Sequence, residues 1–508
     1  MTAGPSAILR LAADRDPDGL ALVTATDRLT YRELDRAAAA IAGGLQRHGI
    51  APGEVVSLYS PNRWEWIAAY HGILRAGAVV NPINAMLTSE EVDYILNDCG
   101  AVAIVASGPL LQRLRSLPAG LRLVVDLEEC SFGELLEAEP IDPVEVAADA
   151  PCTIAYTSGT TGHPKGAVQS QYGVLVNCEH TAQLHGRGPD DVVVTALPLP
   201  HVFGNVSVNS TFLAGGTVVL RERFDCADVF ESIKVHRATM FEGVPAMYAR
   251  LLADPALATA DLSSVTRSTV GGQTIAVSTM QAWQEVSGAP LLQVWGMTEL
   301  SGHATTHRYD GPEVLGSIGV PFPGVEIRIA ALDQPTREAA VEERGELMVR
   351  GPVVMLGYHD RPKATAETID PEGWLSTGDI GYRIESGHLF IVDRKKDLII
   401  TGGYNVYPAE IERVLAGHPA VAMVGAGAVP DAVLGELACA YVVLRPGASA
   451  TEAELIGFTE THLAPYKRPR LVRFVSQLPT TTSGKIMRRR LAAVADGEDV
   501  AAGKGTVE

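Results

Sequence analysis

The sequence predicts an α/β protein of at least two domains with a largely parallel sheet, and three observations carry that prediction. Apolar runs of strand length alternate with segments of helical period along most of the chain, which is the pattern of β–α layering. The length, 508 residues, exceeds the size at which one hydrophobic core stops growing. A charged run, Asp393-Arg394-Lys395-Lys396-Asp397, separates a stretch of about 390 residues from one of about 115, so it reads either as a solvated face or as a linker or hinge.

The elements follow in order. Thr30 to Gly49 opens on Thr30-x-x-Glu33, a capping box, and continues with Leu34, Ala38, Ile41 and Leu45 at helical spacing. Val55 to Tyr59 reads as a strand. Asn62 is expected to cap a helix carrying Trp66, Ala69, Tyr70 and Ile73, with Trp64 and Trp66 as packing residues. Strand patterns recur near Ala78 to Asn81, at Ala101 to Ala106 and at Thr153 to Tyr156. Strands are also expected at Leu389 to Val392 and Leu398 to Ile400. In the last part, Pro408 stands at a first helical position ahead of Ile411, Val414 and Leu415. Ala438 to Leu444 reads as a strand and Leu455 to Leu463 as a helix. A tail after about residue 492, rich in Gly and acids from Asp496, is expected to be disordered.

Composition removes several function classes. A net charge of −19 argues against nucleic acid and against anionic membrane surfaces as partners. Six cysteines, Cys99, Cys130, Cys152, Cys178, Cys226 and Cys439, show no C-x-x-C spacing and read as reduced thiols of a cytoplasmic protein. The first residues lack a signal-peptide pattern, and no apolar run of membrane-spanning length occurs.

The richest stretch chemically is Tyr156-Thr157-Ser158-Gly159-Thr160-Thr161-Gly162-His163-Pro164-Lys165-Gly166-Ala167-Val168. Its glycines let backbone N–H groups approach an anion, its hydroxyls add donors and Lys165 adds a mobile cation, a combination suited to a polyphosphate. It is not a Walker A loop, because Pro164 precedes Lys165 and Gly166 follows it. Read alone, it is also compatible with an ordinary surface turn. Leu197 to Gly204 is a Pro-braced turn presenting His201, which by itself reads as well as a structural histidine. Val270-Gly271-Gly272-Gln273 and Gln293-Val294-Trp295-Gly296-Met297-Thr298-Glu299 each read as a strand ending at Gly, where backbone closely approaches a neighbour. Beside a polyphosphate, Glu299 fits a Mg²⁺ ligand, and alone it is a solvated acid. Asp379 in Ser376-Thr377-Gly378-Asp379 suits a ribose or an Asx-turn. Leu478 to Arg490 is a hydroxyl/Gly turn bearing Lys485, followed by a basic cluster that reads as a tail or a phosphate contact.

The order of these motifs resembles the adenylate-forming superfamily of acyl-CoA synthetases, peptide-synthetase adenylation domains and beetle luciferases, from about residue 8 to 491. Those carrying it are Thr157 to Gly166, the His201 turn, Gly271-Gly272, Trp295 to Glu299, Ser376 to Asp379, Asp393-Arg394-Lys395 and Ser483-Gly484-Lys485. Asp393 to Glu412 is close to the form seen in fatty acyl-CoA ligases. The resemblance implies a large N-terminal domain, 1–393, of two α/β layers and a distorted β-barrel, and a small mobile α+β domain, 394–508, swinging about Asp393.

It also implies a reaction. A carboxylate attacks the α-phosphate of Mg-ATP to give an acyl-adenylate and pyrophosphate, and coenzyme A then takes the acyl group. The loop residues Thr157, Ser158, Gly159, Thr160, Thr161, Gly162 and Lys165 would hold phosphates, with Thr157 and Glu299 serving Mg²⁺. Gly271 and Gly272 with Val294, Trp295, Gly296 and Met297 would flank adenine, and Gln273 and Thr298 would also touch the nucleotide. Asp379, Ile391 and Arg394 would sit at the nucleoside. His201 would lie between adenylate and acyl sites, Lys485 would bridge carboxylate and α-phosphate, and Gly402-Gly403 would enter after rotation. Pro200 and Trp295 depart from the commoner pattern, and Val202 to Phe212 lacks an Asp for a substrate amine, which favours a hydrophobic acid. The alternatives are an enzyme passing its acyl group to a separate carrier protein or partner ligase, a luciferase-like oxidoreductase and a non-catalytic relic. Either a monomer or a homodimer is compatible.

Overall fold

The computed structural model describes residues 4–157, 164–402, 404–431, 433–479 and 486–492. By internal contacts the chain forms two compact units, one of residues 1–327 and 349–375 and one of residues 328–348 and 376–508.

The first unit is built on two twisted sheets. One has seven strands, edge to edge Gly357–Tyr358, Lys165–Ser170, Pro151–Thr157, Val79–Ile83, Val55–Tyr59, Ala103–Ala106 and Leu123–Asp126. The other has nine: Val320–Pro321, Gly302–Thr306, Leu291–Met297, Arg267–Val270, Met240–Gly243, Val192–Thr195, Thr217–Leu220, Leu20–Val23 and Arg28–Thr30. Inner strands of both pair in parallel, as in Val55↔Val79, Val56↔Ala103 and Ser268↔Leu291, and antiparallel pairs lie toward the edges except at Leu123–Asp126, which pairs in parallel. The expected parallel α/β layering is what these residues form.

Period-two alternation explains how each strand serves two cores. Val218 and Leu220 face an inner core, and Val219 between them faces an outer one. Val56 and Leu58 likewise point inward, while Val55 and Tyr59 point to a third cluster. The inner core is filled by the helices Tyr31–Arg47, Trp64–Arg75 and Val202–Ala214, whose Tyr31, Trp66, Tyr70 and Phe212 pack between the two sheets. Burying each such ring contributes roughly 2–3 kcal/mol, so this middle layer holds the two sheets in one unit. The capping box at Thr30 forms as expected, with Glu33 accepting from Thr30 N at 2.8 Å.

Asn62 does something other than cap. The following helix begins at Trp64 with Arg63 at its cap and no side-chain capping bond. The Asn62 amide instead donates to the carbonyls of Leu197 (2.9 Å) and Arg221 (3.0 Å) and accepts from Leu199 N (2.9 Å). Buried carbonyls at two strand ends of the nine-stranded sheet left no cheaper partner, and tertiary demand overrode the local capping preference.

The second unit holds most of a four-stranded sheet, ordered Glu326–Ala331, Gly345–Arg350, Leu375–Arg383 and Leu389–Arg394. A second sheet runs Tyr404–Val406, Ile399–Thr401, Gly435–Leu444 and Val421–Asp431, with Leu471–Phe474 added parallel to Gly435–Leu444. Ala438, Ala440 and Val442 face the helices Pro408–Ala416 and Glu452–Thr459, while Cys439 and Tyr441 face Leu478 and Leu491. The latter helix starts at Glu452, three residues before the expected Leu455, because Thr451 and Glu454 form a capping box there, and it ends at Thr459, four residues short of the expected Leu463. The charged run is no plain solvated face: Asp393 ends a strand and is 4% exposed, and Lys395–Asp397 is a single 3₁₀ turn.

Candidate active site

In the first unit the strands Pro151–Thr157 and Lys165–Ser170 form an antiparallel pair in which Thr157 faces Lys165. Thr157 Oγ1 donates to Lys165 O at 3.5 Å. The two flanks of the candidate phosphate loop therefore meet at its mouth. Ser158, Gly159, Thr160, Thr161 and Gly162 lie outside the described residues. Gly166 is required sterically, since a Cβ there would sit 2.7 Å from Ile154 Cγ2 and about as close to the Tyr156 ring, 3.0 Å.

Tyr358, which sequence reasoning missed, ties this mouth to Glu299. Its hydroxyl donates to Glu299 Oε1 at 2.9 Å, and the Lys165 ammonium lies 5.0 Å from its ring centroid. Glu299 is only 7% exposed. Burial and the neighbouring carboxylate push the Tyr358 phenol well above its usual range, so it remains a donor. Glu299 is held from behind as well: its carbonyl accepts from Met355 N at 2.9 Å, and the Thr298 carbonyl accepts from Gln169 Nε2 at 2.9 Å. Glu299 is thus not a solvated acid. Cation, phenol and buried carboxylate form one connected line from three separate segments.

The Gly-ended strands behave as their composition demands. Gly271 sits where a Cβ would approach Val294 Cγ2 to 2.4 Å, and a Cβ on Gly296 would lie 1.9 Å from Gly302 O. Gly272 has φ +83°, and half-buried Gln273 follows it. Val294 faces Thr306 and Trp295 faces Thr305. The ladder then slips, so that Gly296 faces His303 and Met297 faces Gly302. That bulge re-aims the backbone at the strand end. Val294 packs with Leu197 and Phe203 in a small cluster next to Gly271.

His201 is the N-cap of the helix Val202–Ala214, and its Nδ1 accepts from Phe203 N at 3.3 Å. The neutral ring therefore carries its proton on Nε2. The turn before it is the one pinned by Asn62. Beside this helix a narrow cleft of about 10 Å³, room for about one water, is lined by Tyr70, Thr153, Pro200, Val202, Asn205 and Ser301, among others. The polar residues Asn209, Ser210, Thr305 and Thr306 near this helix are committed internally. Ser210 and Thr305 donate to the carbonyls of Ser207 and Ile318, Asn209 donates to Asn205, and Thr306 pairs with His185.

In the second unit Asp379 and Arg394 face each other across the strands Leu375–Arg383 and Leu389–Arg394, and Arg394 Nε lies 2.5 Å from Asp379 Oδ1. Asp379 is 3% exposed. Its turn is shaped by Gly378 at φ +71° and by Thr377 Oγ1, which accepts from Asp379 N at 3.0 Å. Glu346 accepts from Gly378 N (3.1 Å) and pairs with Lys395 (2.8 Å), fixing the same turn. Ile391 faces Gly381. Asp393 accepts from Arg394 N and Ala409 N, both at 2.7 Å, and its burial pushes its carboxyl above the usual range. Gly402, at φ +55°, donates its N–H to Leu434 O at 2.9 Å. Lys485 and Gly403 lie outside the described residues, as does the tail after Ala492. Arg488, expected to be a tail or a phosphate contact, is instead half-buried among carboxylates of its own unit.

Two α/β layers around a shared helical middle, with a hydroxyl- and Gly-rich hairpin at one sheet edge, are the architecture of an adenylate-forming enzyme. The chain belongs to the AMP-binding enzyme family: the family model matches residues 9–359, and the model for the AMP-binding enzyme C-terminal domain matches residues 410–485. It is 33% identical to a long-chain-fatty-acid–CoA ligase of Bacillus subtilis, over 95% of this chain and 93% of the relative. It is 37% identical to the 3-[(3aS,4S,7aS)-7a-methyl-1,5-dioxo-octahydro-1H-inden-4-yl]propanoyl:CoA ligase of Mycobacterium tuberculosis, over 96% and 98%. The crystal structure of ATP-bound MatB from Rhodopseudomonas palustris superposes with a TM-score of 0.90 at 31% identity, covering 98% of this chain and 100% of that one. The family and the relatives named as CoA ligases make the chain an AMP-forming acid–thiol ligase. No helix among the described residues is long and apolar enough to cross a membrane.

Proposed function

We propose that the chain activates a hydrophobic carboxylic acid with ATP, releasing pyrophosphate, and passes the acyl group from the adenylate to the thiol of coenzyme A with release of AMP. The observation that carries this reading is the Lys165–Tyr358–Glu299 line beside the Thr157 hairpin. It sets one cation and one buried, hydrogen-bonded carboxylate at the mouth of a loop rich in hydroxyls and glycines. Relatives named as ligases for a long-chain fatty acid and for a polycyclic keto acid fit a hydrophobic substrate.

The chemistry follows from charge. A carboxylate attacking an anionic phosphorus needs neutralisation and in-line placement more than it needs a base. Lys165 and the loop donors hold the departing β- and γ-phosphates, and Lys485 faces the α-phosphate and the attacking carboxylate. Gly271 and Gly272 with Val294 to Thr298 receive the adenine. The Asp379 carboxylate accepts from the ribose hydroxyls while Arg394 fixes its rotamer. His201 stands between the adenylate and acyl sites. Rotation about Asp393 then exchanges Lys485 for the Gly402-Gly403 segment, and the thiolate of coenzyme A displaces AMP. Thr157 and Glu299 supply the hard oxygen donors that suit Mg²⁺, and a single buried carboxylate fits an ion that takes most of its ligands from phosphate and water. Bound there, the ion would supply neutralisation of phosphate charge. The six cysteines are all unpaired, which supports a reducing, cytoplasmic setting.

The test is carboxylate-dependent ATP–pyrophosphate exchange over a panel of acids, repeated with coenzyme A and scored for AMP and thioester. Lys485→Ala should abolish exchange while leaving ATP binding largely intact, and unchanged exchange in that variant refutes the assignment. Exchange without thioester would point to a carrier protein or partner ligase as acceptor.

A further inference from the structure

Arg488 makes a set of contacts that the proposed mechanism does not use. One guanidinium arm, Nη1, lies 3.0 Å from Asp393 Oδ1 and 2.9 Å from Asp397 Oδ2. The other side of the fork meets Glu412, Nη2 at 2.7 Å from Oε2 and Nε at 3.1 Å from Oε1. These acids come from a strand end, a 3₁₀ turn and the helix Pro408–Ala416. Glu412 Oε1 also accepts from Ala426 N at 2.9 Å, which anchors the cluster to the sheet. The Arg488 side chain is 19% exposed and the Asp393 side chain 1%. A single Lys could neutralise one such acid, but only a planar fork reaches all three at once.

The position of Arg488 gives the cluster a purpose. Met487 N donates to Pro479 O at 2.8 Å, closing a stem around the stretch that carries Lys485. Ile486 and Leu491 pack over Gly425, whose Cβ would lie 3.2–3.3 Å from them. Arg488 follows this stem directly and ties it to the residue about which the unit is proposed to turn.

We propose that Arg488 is a positioning residue: it fastens the chain at 486–488 to Asp393, so that the polypeptide leading out of Lys485 is anchored to the hinge and adenylate formation is kept in register. This rests on the roles given to Lys485 and Asp393 above.

The experiment uses the full chain and the variants Arg488→Gln, Arg488→Lys and Lys485→Ala. Amide hydrogen exchange is followed at 393–397 and 486–492, and ATP–pyrophosphate exchange is measured with hexadecanoic acid and ferulic acid as probe acids. Arg488→Gln should lose protection by about tenfold or more at both segments and slow pyrophosphate exchange about 10–100-fold in kcat, the cost of misplacing a catalytic group by about an ångström. Its KM for ATP should stay within about twofold, because the nucleotide-holding residues are untouched. Arg488→Lys keeps the charge and should keep the thermal midpoint, yet remain slow, since an ammonium cannot reach both Asp393 and Glu412. Wild-type protection at 486–492 in Arg488→Gln overturns the proposal, as does full speed in Arg488→Lys. If Lys485→Ala exchanges at the wild-type rate, the role of Lys485 itself fails, while the protection data still report on the clamp.

Discussion

Replacing Tyr358 by Phe isolates one hydrogen bond in the site without emptying the space the ring fills. The lost contact is the phenol O–H donated to Glu299 Oε1 at 2.9 Å, on a carboxylate that is 7% exposed. A hydrogen bond to a charged group is worth about 1.5–3 kcal/mol. Tyr358 is itself only half-buried, which places the loss at the lower end, about 1.5–2 kcal/mol. At 1.36 kcal/mol per factor of ten, kcat/KM for Mg-ATP in pyrophosphate exchange should fall roughly 10–30-fold. The ring remains, so Lys165 keeps its seat over the π-face. Tyr358→Ala removes that seat too and should cost a further 0.5–1 kcal/mol, about 2–5-fold more. Thermal midpoints of both variants separate a folding defect from a site defect. A double-variant cycle with Glu299→Gln should show that the Phe effect shrinks once the carboxylate is gone. A Phe variant within twofold of the wild type, or Phe and Ala variants that are equal, refutes the reasoning.

Three further outcomes follow from the geometry. Gly296→Ala forces a Cβ to within 1.9 Å of Gly302 O, backbone that cannot swing aside; urea denaturation should show a loss of about 1–3 kcal/mol or more, and wild-type stability would contradict the coordinates. Asp379→Asn breaks the 2.5 Å pair with Arg394, whose side chain is 31% exposed, so solvent softens the loss to about 1–3 kcal/mol. The KM for ATP should rise about tenfold or more, and an unchanged KM would remove Asp379 from the ribose site. His303 is held down to about 3 by burial, with Arg187 and His201 adding to the effect. Between about pH 3 and the ordinary histidine value near 6.5, the unfolded chain binds a proton that the native chain refuses. Stability is therefore full above that window and is lost as pH falls through it, by about 1.4 kcal/mol per pH unit. His303→Gln should lower proton uptake on unfolding at pH 5 by about one, and equal uptake would refute the assignment.

What could be read from the sequence was what is encoded locally. The strand Val55–Tyr59 and the capping box at Thr30 stand where expected, because short-range pattern and long-range packing agree there. The Gly271 and Gly296 strand ends were legible for the same reason: a glycine after a strand announces close approach of another backbone. Asn62 misled because Asn before an apolar run is the signature of a cap, whereas its amide was claimed by carbonyls more than a hundred residues away. Tyr358 carried no signal at all. A lone Tyr after Gly has no periodic pattern, and its importance arises only when the sheet edge brings it beside Lys165 and Glu299. Arg488 was masked by its basic neighbours, since the acids that bind it lie 76 to 95 positions upstream.

The pairing of Pro151–Thr157 with Lys165–Ser170 bears on how the reaction ends. A phosphate loop that leads into a helix offers bound phosphates the fixed positive end of an axial dipole, equivalent to roughly half a charge. Here both flanks are strands, so the positive charge at the loop's mouth is the Lys165 ammonium over the Tyr358 ring rather than a helix end. Such a grip yields to salt and to the motion of a single side chain. That suits the pyrophosphate of the proposed reaction, a product to be discarded, better than a group the site must keep.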